Sequence, residues 1–197
     1  MALPAPSRLA LWALLAAPGG WIAGRYATDA ISYGQVIHET GDWAVWLLLV
    51  TLAVTPARLA FRGQGWVVAL VRWRRNLGVA TFAYAAFHLA VYLVRKADSA
   101  LIAREGMQLE LLVGWIAFFT FAVLAATSND ASVRGLGRGW GRLHKLVYPA
   151  AALTLAHWWL SAFDPLMATV HAAILAAIVA ARIALPWARR RRAPTSA

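Results

Sequence analysis

The sequence predicts an all-α, polytopic membrane protein, with six transmembrane helices in one bundle and both termini on the cytoplasmic side. Three observations carry this. The 197 residues are 61% hydrophobic and 14% charged, with a mean hydropathy of +0.60, outside the range of an ordinary water-soluble domain. Six apolar stretches have helical length, against the roughly 20 residues needed to cross a hydrocarbon core about 30 Å thick. Basic residues fall almost entirely into alternate gaps between those stretches, as the positive-inside rule requires of one membrane face.

The first stretch, about 9–24, follows Arg8, and Trp21 and Ile22 carry it past Gly19 and Gly20. With no convincing cleavage pattern after it, it reads as a retained span rather than a secretory signal. The second, about 43–60, follows a loop holding His38, where Thr40 or Asp42 is expected to cap the helix. The loop 61–75 carries the apolar piece Trp66 to Val71, expected to lie along the interface. The third span, about 76–94, contains His88, and the fourth is about 109–127. The fifth, about 143–163, begins with His144 and contains His157; the sixth, about 166–186, contains His171 and leads into a basic tail, 187–197. None alternates with the period of a strand, which argues against an outer-membrane barrel, and no repeat is visible. The expectation is one transmembrane domain, 1–197.

The net charge of +11 suggests nucleic acid until it is sorted by gap. Arg8, Arg58, Arg62, Arg72, Arg74, Arg75, Arg134, Arg138, Arg142, Lys145, Arg182 and the run Arg189 to Arg192 share the face read as cytoplasmic. Arg25, Arg95, Lys96 and Arg104 lie on the other, among most of the acids. The terminal arginines therefore read as anchors to membrane lipid headgroups, with no nucleic acid partner. There is no cysteine, which removes disulfides, iron–sulfur ligation and covalently attached haem.

An intramembrane ionisable residue is a functional candidate by default, because hydrocarbon offers it no partner. His88 and His157 sit on parallel spans at matched depth, since His88 is fourteen residues after Arg74 and His157 is thirteen after His144. Thirteen helical residues cover roughly 20 Å, enough for two cofactor levels and too far for one ion. At the outer level His88 and His157 suit the two axial positions of a six-coordinate haem. At the inner level His144 suits a second haem, or a flavin or quinone headgroup, with Arg74 or Arg75 facing a propionate or phosphate. A fourteen-residue step returns to nearly the same helix face, which favours Arg74 over Arg75; Pro149 leaves room for a phase change between His144 and His157.

Other residues read more plainly. His171 has no partner at its level and is expected to pack, and His38 to be solvated or to cap. The stretch Gly135 to Gly141 lacks the G-x-G-x-x-G spacing and a preceding strand, so it is expected to be a flexible basic loop. The dozen or so residues after the sixth span leave no room for a dehydrogenase domain, so electrons are expected from a quinol or a separate flavin reductase. A rival class, a small transporter with histidines and arginines lining a proton or anion path, is expected to show two related halves, and none are visible.

Taken together, the residues resemble the MsrQ family, formerly YedZ, of the ferric-reductase-like transmembrane group. The resemblance covers most of the chain. It rests on His38-x-Thr40-Gly41, on Arg74-Arg75-x-Leu77-Gly78 running to His88-Leu89, and on Thr127-Ser128 through Leu136-Gly137-x-x-Trp140-x-x-Leu143-His144 to Val147-Tyr148 and His157. It implies an electron-transfer subunit in the bacterial inner membrane, without a catalytic site of its own for the final substrate. It further implies b-type haem, one or two, held among His88, His144 and His157 with Arg74 beside the inner site, together with FMN. Electrons would come from the quinone pool and go to a periplasmic molybdopterin-containing methionine sulfoxide reductase. His157-Trp-Trp-Leu departs from the aromatic pattern nearer His-Tyr-x-Trp expected of the family. A stand-alone ferric or quinone reductase would use the same cofactor set.

Overall fold

Ser32 decides where the central helix begins. In this computed structural model, which describes residues 5–192, Ser32 and Gln35 form a reciprocal capping box that satisfies two orphan amides at once. Helix α2 therefore runs Tyr33–Ala60, starting well before the expected position near residue 43. His38, Thr40 and Asp42 lie inside it. Neither Thr40 nor Asp42 is a cap; the Thr40 hydroxyl donates back to the Val36 carbonyl at 2.7 Å, a common use of threonine in a helix interior.

Ahead of it is α1, Ala5–Ala27. After it, a turn with Gly63 at φ 81° leads into α3, Gly65–Lys96. The piece Trp66 to Val71 is the start of this helix and not a separate interfacial segment. Ala97, at φ 50°, stops α3, and Asp98 caps the short α4, Ser99–Glu105, by accepting from two of its amides. Helix α5 is Leu109–Ala126. The expected flexible loop is largely helical: Asn129 caps α6, Asp130–Leu136, and Gly137, at φ 49°, breaks it from α7, Arg138–Leu143. A 3-10 turn, His144–Leu146, joins α7 to α8, Val147–Ser161. Helix α9, Leu166–Arg192, takes up the first part of the expected tail; residues 193–197 and 1–4 lie outside the described part.

Among the described residues four helices are long and apolar enough to cross a membrane: Tyr33–Ala60, Gly65–Lys96, Leu109–Ala126 and Leu166–Ala188. Helices α1 and α8 stand at the other two expected positions, α8 with only 15 residues. No strand occurs among the described residues.

Helix α2 is the axle of the bundle. Its apolar window is half buried, far more than that of the other three long helices. Leu48 and Leu52 meet Phe121 and Leu124 of α5 and Ala150 and Ala151 of α8. Ala44 and Leu47 meet Leu77, Ala80 and Tyr84 of α3, and Val45 and Leu49 meet Leu155 of α8 with Ile174 and Ile178 of α9. The small side chains at 44, 80, 150 and 151 allow the close backbone approach that drives helix association in lipid.

Helix α1 is fastened by one phenol. Pro18 lies inside α1, where it removes an amide and disturbs the ladder. The Tyr84 hydroxyl accepts from the Gly19 amide at 2.8 Å and donates to the Leu15 carbonyl at 2.9 Å, standing between two groups an undisturbed helix would join. Arg25 adds an ion pair to Glu39 of α2 at 3.2 Å.

Candidate functional site

The structure brings His88 of α3 and His157 of α8 together across the bundle, with ring centroids 6.3 Å apart and planes at 90°. Each ring is held by its Nδ1. That of His88 lies 2.9 Å from the Ile37 carbonyl of α2, and that of His157 lies 2.6 Å from the Glu110 carbonyl of α5. An imidazole that donates Nδ1–H to a carbonyl keeps its Nε2 lone pair for a metal, the usual outer-shell arrangement of histidine ligands. Neither Nε2 makes a hydrogen bond among the described residues.

Two glycines make this possible. A Cβ on Gly41 would stand 3.4 Å from His88 Nδ1, and one on Gly114 would stand 2.8 Å from His157 Nδ1. The second contact is closer than carbon and nitrogen tolerate, so α5 passes the His157 ring only because residue 114 has no side chain. Gly41 belongs to the motif already noted; Gly114 carried no signal beyond being one small residue among Leu111, Leu112, Trp115 and Ile116.

The spacing suits an iron between the rings. Metal–imidazole bonds of about 2 Å, with a little over 1 Å from each nitrogen to its ring centre, separate the centroids of two axial imidazoles by roughly 6 Å. Among the described residues no three His, Cys, Asp or Glu side chains gather as a metal cluster. Two imidazoles at this distance suit two ligand positions of one metal.

The inner level is built differently. A cavity of about 440 Å³ opens there, lined by Arg74, Arg75, Ser128, Trp140, His144 and Tyr148 among others, and it does not reach His88 or His157. Arg75 extends to Asp130 at 2.7 Å, and that guanidinium holds the Asp130 carboxyl below the usual carboxylate range. Arg74 is the more enclosed of the two. Trp140 stacks on His144 with centroids 4.0 Å apart and donates from Nε1 to the Thr127 carbonyl at 2.9 Å. The Thr127 hydroxyl donates to the Val123 carbonyl at 2.7 Å, so at 3.1 Å from His144 Nε2 it accepts. In this pose His144 is left with its Nδ1 lone pair, the reverse of the outer pair.

His171 is buried, donating from Nδ1 to the Met167 carbonyl at 2.7 Å and packed between Trp46 and Trp158. Its Nε2 is buried without a partner, as is Asp42 Oδ1. His38 is more than half exposed and lies 3.3 Å from Asp42 Oδ2.

Two imidazoles 6.3 Å apart inside an apolar helical bundle are an arrangement that membrane redox proteins use, and residues 40–155 match the family described as ferric reductase like transmembrane component. At the level of whole chains, the protein belongs to the MsrQ family. It is 36% identical over 184 residues to the protein-methionine-sulfoxide reductase heme-binding subunit MsrQ of Xanthomonas campestris pv. campestris (strain B100), covering 90% of this chain and 81% of that one. The subunit of the same name from Xanthomonas axonopodis pv. citri is 38% identical, with 83% and 75% covered. That of Brucella ovis is 35% identical, with 96% and 88% covered. No solved structure matches.

Proposed function

We propose that this chain is a haem b membrane electron-transfer subunit. It passes electrons from the quinone pool across the bacterial inner membrane to a periplasmic molybdopterin-containing methionine sulfoxide reductase, which repairs oxidised periplasmic proteins. The observation that carries this reading is the His88–His157 pair, 6.3 Å apart with both Nδ1 atoms on backbone carbonyls. The names of the relatives, heme-binding subunits of a protein-methionine-sulfoxide reductase, support the class of acceptor.

Haem, when bound, supplies one-electron iron chemistry whose potential follows its ligands and burial. His88 and His157 would ligate the iron, and the carbonyls of Ile37 and Glu110 fix their tautomer. At the inner level His144, Arg74 and Arg75 would hold a second haem b or FMN. The chain is one domain, 1–197, crossing the membrane six times with both termini cytoplasmic and the basic tail 187–197 on anionic lipid headgroups, which supports a quinol reaching the bundle from within the bilayer.

The test is the visible spectrum of the detergent-purified chain, oxidised and dithionite-reduced, for wild type, His88→Ala and His157→Ala. A haem b spectrum in the wild type, lost or converted in both variants, is the expected result. A colourless wild type from cells with ample haem would overturn the reading and leave a transporter in its place.

A further inference from the structure

Two polar atoms in the inner cavity have no hydrogen-bond partner among the described residues. Arg182 of α9 and Tyr148 of α8 both line it. The Arg182 guanidinium lies over the Tyr148 ring, 5.2 Å from its centroid. Arg182 Nη1 and the Tyr148 hydroxyl are both buried, and neither makes a hydrogen bond. A guanidinium has only donors, and a phenol hydroxyl donates readily, so what is missing between them is an acceptor.

The charge balance says what kind. Four cations line the cavity, Arg74, Arg75, Lys145 and Arg182, and no carboxylate does. Asp130 answers Arg75. Among the described residues no carboxylate lies within ion-pair distance of Arg74 or Arg182, and these two are close enough to repel each other. Like charges left uncompensated in a half-buried cavity are costly, and the cost is met by a counter-ion. A single water would satisfy the orphan hydrogens but not the charge.

We propose that Arg182 and Tyr148 form an anion clamp, which with Arg74 holds a carboxylate or phosphate substituent of the group bound in the inner cavity. The inference rests on the reading above in that the cavity holds a cofactor. It adds the residues from the two C-terminal helices that grip its acidic end. The planar guanidinium suits a two-oxygen acceptor, and stacking on Tyr148 fixes its plane. The same chemistry fits a haem propionate, the FMN phosphate or a lipid phosphate.

The experiment uses the full-length chain in lipid nanodiscs as wild type, Arg182→Gln, Arg182→Lys and Tyr148→Phe. Haem per chain, extractable flavin per chain and co-purified phospholipid are measured, with FMN titration as an added probe. Arg182→Gln is expected to weaken retention of one of the three by roughly tenfold, the usual consequence of deleting a hydrogen bond to a charged group. Tyr148→Phe should do so less, and Arg182→Lys should recover part of the loss. Loss of haem alone points to a propionate, loss of flavin to its phosphate, and loss of anionic lipid to a headgroup; each supports the clamp. The outer haem spectrum is the internal control, because a misfolded variant loses that as well. Wild-type content of all three in both Arg182→Gln and Tyr148→Phe overturns the clamp, whereas a wild type without any haem overturns the haem reading and leaves the clamp to be judged on flavin and lipid.

Discussion

A methyl group at position 114 would sit 2.8 Å from His157 Nδ1, on the side where the ring meets the Glu110 carbonyl. Gly114→Ala is therefore expected to push the imidazole off its line and remove the outer haem. Gly41→Ala, with a 3.4 Å contact to His88, is expected to keep it with a shifted spectrum. Reduced-minus-oxidised spectra of the two variants check this, and equal haem content in both would be the wrong outcome. At this scale the sequence discloses groups that carry chemistry. The depths of His88, His157 and His144 follow from counting residues along helices. Gly114 does not, because a missing side chain has no pattern, and Arg182 does not, because one arginine near a span's end reads the same whether it faces lipid headgroups or a cavity. His38 reads as a loop residue because Gly34 and the polar residues Thr28, Asp29, Ser32 and Gln35 before it hide that a capping box has already opened the helix.

Helix boundaries respond to contacts that are distant in sequence. Tyr84 is one apolar-face residue of α3 by pattern, yet its hydroxyl holds the interrupted ladder of α1 through Gly19 and Leu15. Tyr84→Phe is expected to cost about 1 kcal/mol and to loosen α1, read as faster proteolysis before residue 28 with the haem spectrum unchanged. At the far end of α3, Glu105 accepts from Lys96 at 2.7 Å and Tyr92 at 2.9 Å, and these hydrogen bonds hold its carboxyl below its ordinary value. A carboxyl lowered in the folded state stabilises fully above its unfolded value and loses that contribution as pH falls through the folded one. Hydrogen exchange in α4, corrected for its intrinsic rate, should therefore be faster at about pH 3 than at about pH 6. In Glu105→Gln the difference should shrink.

Across the whole molecule, the histidine-bearing helices α3 and α8 meet mainly through partners: α3 packs most on α2, and α8 on α5. A metal between His88 and His157 would tie these two pairs. A group bound only by the folded state stabilises it by about 4 kcal/mol when present at about 1,000 times its dissociation constant. His88→Ala should accordingly unfold at a lower temperature than the haem-loaded wild type, and the gap should close when both are prepared without haem. That the chain is a bundle of apolar helices is legible in the sequence because hydropathy is summed over many residues; the cavity is not, since its walls come from α2, α3, α5, α7, α8, α9 and the 3-10 turn together. Helix α8 is 15 residues long, about 22 Å, shorter than a hydrocarbon core of about 30 Å. His157 lies four residues from its end at Ser161, about 6 Å along the axis. An iron held there would sit near that end of the bundle, where a redox protein docked on the end would receive an electron by direct tunnelling. The closeness of that contact, and not any further carrier, would then set the pace of delivery.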